Sequence, residues 1–250
     1  MLIGIVPYFM LLFGGTPVES FYIIDFGKGI KQHVVSITSR QDAEAIVSAY
    51  ATIYKEFNTE HKKQIKELQQ KNRDYNTPEQ WYQDFFATAM EDRKKQQTSF
   101  ITGRLRLQEV ITQEEWDKIM EMITRDLEKL IEKKKKKREK KEGKSKYQIL
   151  SNTLKENIPP GERLTFALES LEDFREKHIA VKESYENLYA SEEDVLANRQ
   201  ATKEDMLEIC TVLNELRQSL MDSYIKLLFN LKKNTSQKEW TEIIKDLNKI

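Results

Sequence analysis

Arg93 and Arg217 are the side chains with the clearest capacity for chemistry. Each falls on or beside an apolar helical stripe, and they stand 124 positions apart. A guanidinium in such a place is either a receptor for an anion or carboxylate in a groove, or a structural cation that pairs with a neighbouring acid or snorkels over the rim. Arginine in folded proteins is mostly exposed or paired, so the structural role is the default. The remaining reactive side chains form no catalytic grouping. His33, His61 and His178 lack the H-x-x-x-H, H-E-x-x-H or His-with-Cys spacings of metal sites, so no metal or cofactor is expected, and each reads as a surface or half-buried helix residue. Cys210, the single cysteine, lies on an apolar helical face and reads as a small core residue; without a second cysteine it forms no disulfide within the chain. There is no Gly-rich phosphate loop and no G-x-S-x-G elbow, and acidic pairs such as Glu114-Glu115 read as solvated helix faces. The chain is therefore read as non-enzymatic.

A second chemical feature is a run of cations. The chain has 41 basic and 41 acidic residues, but nine Lys and one Arg against Glu139 and Glu142 between Lys133 and Lys146 give a local excess of eight positive charges, which leaves the body acidic by the same amount. Lys133, Lys134, Lys135, Lys136, Lys137 and Arg138 are candidates for acidic lipid headgroups, at about 1 kcal/mol per basic residue near an anionic surface. No aromatic residues interleave the run, so nucleic acid is not an expected partner. The plain alternative is a solvated spacer that folds back on the acidic body.

Stepping along the chain, Thr112-Gln113-Glu114-Glu115-Trp116 is echoed by Ser236-Gln237-Lys238-Glu239-Trp240 at the offset that also matches Arg93 with Arg217. The same offset aligns Phe100 with Tyr224, Leu107 with Leu231 and Ile119 with Ile243. One helical unit written twice is the simplest account. Trp116 and Trp240 then become matched structural or binding residues. The T/S-x-x-E pattern makes a helix N-terminal capping box. With Ile111 in front, the motif also resembles the LTxxQ motif of the Spy/CpxP family of periplasmic helical proteins, in which it likewise occurs twice. That resemblance covers about ten residues and implies an all-helical chaperone or stress sensor.

The elements that must hold these residues are helices, because 33% charged residues with only 8 Gly and 5 Pro in 250 leave little for turns or sheet. The expected fold is all-α, two tandem pseudo-repeated three-helix units in an antiparallel bundle: residues 28–131, a Lys-rich linker at 132–146, and residues 147–250. After a short amphipathic piece around Ile30 to Val35, Ser39 is expected to cap a helix to about Gln70, and Thr77 to cap a second, with Pro78 as its first residue, to about Gln108. Thr112 caps a third. In the second unit a short helix from Tyr147 to Asn157 ends at Pro159-Pro160-Gly161. Helices follow from Glu162 to about Tyr189, from near Thr202, and from Ser236.

Residues 1–27 are expected to be an apolar signal or anchor segment, the alternatives being a buried apolar arm of the bundle and a partner- or membrane-associating hairpin. Leu2 to Phe13 carries no charge, and up to Gly27 only Glu19 and Asp25 do. As a helix the first twelve apolar residues would reach about 18 Å, short of the roughly 30 Å hydrocarbon core, whereas residues 2–27 together suffice. No Lys or Arg precedes the segment, and Lys28, Lys31 and Arg40 follow it. The first expectation is a membrane-anchored or exported, periplasmic protein that binds a protein partner as a chaperone, sensor or adaptor. The second is a tether on the cytoplasmic face of a membrane, using residues 2–27 and the Lys-rich run as two lipid signals acting together. No small-molecule substrate is inferred.

Overall fold

The computed structural model describes residues 25–139, 145–192, 195 and 197–249, so most of the apolar N-terminal segment lies outside the described residues. Among the described residues eight α-helices follow one another: α1 (Phe26–His33), α2 (Ile37–Arg73), α3 (Glu79–Val110), α4 (Gln113–Glu139), α5 (Lys146–Asn157), α6 (Glu162–Ser191), α7 (Lys203–Lys233) and α8 (Gln237–Leu247). The chain is all-α, and among the described residues there is no strand. Among the described residues each half holds four helices where three were expected, because the short pieces α1 and α5 are packed helices in their own right. Phe26 and Gly27, assigned from sequence to the anchor segment, open α1.

Local chemistry sets the helix ends. Ser36, not Ser39, caps α2: its hydroxyl accepts from Ser39 N–H at 3.3 Å, since the donor that needs a partner is the one three residues inside. Pro78 is the N-cap of α3, and the Thr77 hydroxyl instead donates to the Lys71 carbonyl at 2.9 Å, binding the start of α3 to the end of α2. Thr112 and Glu115 form the expected box: Glu115 N–H donates to the Thr112 hydroxyl at 3.4 Å and Thr112 N–H to the Glu115 carboxylate at 3.0 Å. Ser236 with Glu239 and Thr202 with Asp205 do the same for α8 and α7. Gly161, which leads into α6, has φ 145°, a conformation that L side chains rarely adopt. The basic run as far as Glu139 prolongs α4; residues 140–144 lie outside the described residues.

The long helices stand in the spatial order α2, α3, α7, α6, each packed on the next. α3 and α7 cross between the halves and run antiparallel. Tyr82 meets Phe229 with ring centroids 5.7 Å apart, Phe86 meets Tyr224 at 6.3 Å, and Gln97 and Asn214 exchange amide bonds of 3.1 and 2.8 Å. α1 packs on α2 and carries α4, α5 packs on α6 and carries α8, and α8 also touches α2 and α7. One apolar core runs through both halves, from Phe26 and Ile119 to Leu150 and Ile243. Burying each such side chain stabilises the fold by about 1.5–3 kcal/mol.

Candidate functional site

The structure places all four residues picked out by the offset in the interior. Trp116 and Trp240 are fully buried, and each indole N–H reaches into the other half of the chain. Trp116 Nε1 donates to the Ala197 carbonyl at 2.8 Å, just past the end of α6, and Trp240 Nε1 to the Asn72 carbonyl at 2.9 Å, in the last turn of α2. Buried indoles need such acceptors. Arg93 and Arg217 are 1% and 0% exposed, so neither snorkels to the rim. The Arg93 guanidinium lies 5.3 Å from the Phe57 ring and that of Arg217 5.5 Å from the Tyr185 ring, where the negative ring face attracts a cation. None of the four is displayed to a soluble ligand.

Two further buried cations were not visible in the pattern. Arg104 stacks 3.9 Å over Trp116. Lys232 is held among the rings of Tyr82, Phe229 and Trp240, and donates to the Thr77 carbonyl at 3.0 Å. Burial pushes its ammonium down to about 8, against the upward pull of Asp74. Cys210 is buried, as its apolar face foretold. His61 and His178 are buried rather than superficial, and His33 is half-buried. The Tyr147 hydroxyl bonds His178 Nδ1, and burial, helped by Lys182 and Lys146, lowers the His178 imidazole to about 4. Both stand at the three-and-four spacing of the apolar stripes of α2 and α6, so the periodicity pointed inward and only the polarity of histidine argued for the surface.

One accessible region lies around α1 and α4. Val35 N–H donates to the Glu115 carboxylate at 2.8 Å in the first turn of α4; Gly29 rests on Ile119 and Met122; and Lys28 pairs with Asp126 at 3.0 Å three turns along. α1 therefore runs antiparallel to α4. The chain enters α1 at Asp25, towards the end from which α4 continues through Lys133 to Glu139. From Asp126 to Lys133 is ~10 Å of helix rise. Burial raises the Glu115 carboxyl, but bonds from Val35 and Thr112 outweigh it and hold the group below the usual carboxylate range. At the other end of α1, Val35 and Ile37 are 81% and 72% exposed. Elsewhere an open cleft of about 590 Å³ separates α5 and α6, lined by Tyr147, Ser151, Lys155, Leu168, Glu172 and Arg175 among others. No group of His, Cys, Asp and Glu suited to a metal ion occurs among the described residues. No described helix is long and apolar enough to cross a membrane.

The fold and this arrangement define an all-helical bundle with a basic, helix-borne extension. Comparison with protein-family models, with curated proteins and with solved structures gave no match.

Proposed function

We propose that this chain is a membrane-held helical adaptor, attached through its apolar N-terminal segment and through the cations of Lys133 to Arg138. One observation carries the reading: the antiparallel packing of α1 on α4 brings the chain's entry at Asp25 and the basic extension of α4 towards the same end of the molecule. Two weak lipid signals, one apolar and one cationic, act together only when both can reach one bilayer. The matched helix starts, Glu79 with Lys203 and Gln113 with Gln237, support reading the body as one unit written twice. The cleft between α5 and α6 is the candidate seat for a protein partner in the adaptor role.

The test is co-flotation of the full chain with vesicles of phosphatidylcholine alone and with added phosphatidylserine. Binding should rise with the anionic lipid, and Lys133–Lys137→Gln should remove that rise, each cation contributing roughly 1 kcal/mol at such a surface. Flotation that ignores both lipid charge and the substitution would leave no role for the basic run. Absence of flotation with either vesicle would end the membrane reading altogether.

A further inference from the structure

The α1–α2 elbow carries two large apolar side chains that the fold does not ask for. Val35 and Ile37 flank the capping residue Ser36 and are the most exposed of the large hydrophobic residues among the described residues. The corresponding elbow of the second half, 124 positions on, is built from Pro159-Pro160-Gly161, with no large aliphatic side chain in either place. Its buried anchor is the same: Val34 and Ile158 are each 1% exposed, and their N–H groups close α1 and α5 on Ile30 and Leu154 at 3.1 and 2.9 Å. The turn thus forms without an apolar pair at its tip. Two aliphatic side chains in water carry a hydration cost, which a lipid contact would relieve.

On the outer side of α1, Lys28 and Lys31 are exposed three residues apart, Lys28 also reaching Asp126 of α4 at 3.0 Å, and the exposed Val35 follows just beyond the helix, past the extended Val34. Phe26, Gly29 and Ile30 are buried on the other side. A cationic stripe that ends in an apolar tip is the pattern of a helix lying at a bilayer surface, with its lysines among headgroups and its aliphatic groups below them. The chain enters this helix directly from the apolar residues 2–24, which gives the stripe its neighbour.

We propose that the outer face of α1 is a membrane-contact surface for an anionic bilayer, with Val35 and Ile37 inserted into the interfacial layer. This rests on the membrane reading above and adds a second, folded point of contact to it. Lying flat, α1 would also set the orientation of the body against the membrane, because α2 and α4 are packed on its inner side.

Cys210 is buried, which allows a thiol label to be directed elsewhere. The full-length Val35→Cys and Thr241→Cys variants would each carry a nitrobenzoxadiazole label, Thr241 being exposed on α8. With vesicles containing phosphatidylserine, the label at 35 should shift to the blue, brighten, and be quenched by lipids carrying a nitroxide near the headgroup; the label at 241 should do none of these. Flotation of the labelled protein with a label at 35 that stays water-like would overturn this contact and leave the membrane reading standing. No flotation would remove both. A label at 35 already shielded before vesicles are added would mean that protein covers the elbow, which also overturns the proposal.

Discussion

Tyr75 and Arg199 stand 124 residues apart and do the same work with unlike side chains. The Tyr75 hydroxyl bonds the carbonyls of Lys232 and Thr235 at 2.8 and 2.7 Å, where α7 ends. Arg199 donates through Nε to the Ile111 carbonyl at 2.7 Å and through its terminal nitrogen to that of Gln108, where α3 ends. Gln108 and Ile111 are themselves 124 residues before Lys232 and Thr235. Each end of the α3–α7 pair is thus closed by a donor from the opposite half, meeting carbonyls at a helix C-terminus, where intrahelical donors run out. Tyr75→Phe should destabilise the protein by about 1–2 kcal/mol. Arg199→Met should cost a similar amount, and because the two ends are distant the losses should add in urea denaturation.

The indole bonds give a matched pair of tests. Trp116→Phe and Trp240→Phe each leave a carbonyl, Ala197 or Asn72, without its donor and each thin the core. Each should cost about 1–3 kcal/mol for the acceptor alone. Equal losses would reflect equal roles. A loss confined to one variant would mean that the two bonds differ in weight despite their matching geometry.

Gly103 marks a close approach between α2 and α3. A Cβ there would meet the Tyr50 ring at 2.6 to 2.8 Å, and the ring is buried against Phe100. Gly103→Ala should therefore destabilise by about 1–3 kcal/mol through overpacking. Combining it with Tyr50→Leu should recover part of the loss, and thermal melting followed by circular dichroism would show it.

His178 predicts an acid limb in the stability profile. Its folded imidazole titrates at about 4, lowered first by burial and then by Lys182 and Lys146, against about 6.5 in the unfolded chain. Between those values the unfolded chain binds the extra proton, so stability falls as the pH drops from about 6.5 towards 4. One proton contributes at most about 1.4 kcal/mol per pH unit. His178→Gln should flatten this limb, and denaturation midpoints at pH 4.5, 5.5 and 7 would measure the change. An unaltered slope would place the effect in other groups.

The sequence by itself determined the helices and where they stop. Thr112 with Glu115, Ser236 with Glu239, Thr202 and the Pro159-Pro160-Gly161 break all act within a few residues, and capping chemistry of that range is legible in one dimension. The cap of α2 is Ser36 rather than Ser39, two hydroxyls near one helix start being hard to tell apart in sequence, and α3 is capped by Pro78 because the Thr77 hydroxyl turns back to the Lys71 carbonyl. The basic run was visible as composition, while its nearness to the chain's entry into α1 was not. Only the tertiary structure decided which half each buried polar group answers to: Trp116 to Ala197, Lys232 to Thr77, Arg199 to Ile111. An apolar stripe says that a face is covered and is silent about what covers it. Those bonds join residues 81 to 155 apart, and their partners are main-chain carbonyls, which every residue carries and no sequence pattern distinguishes.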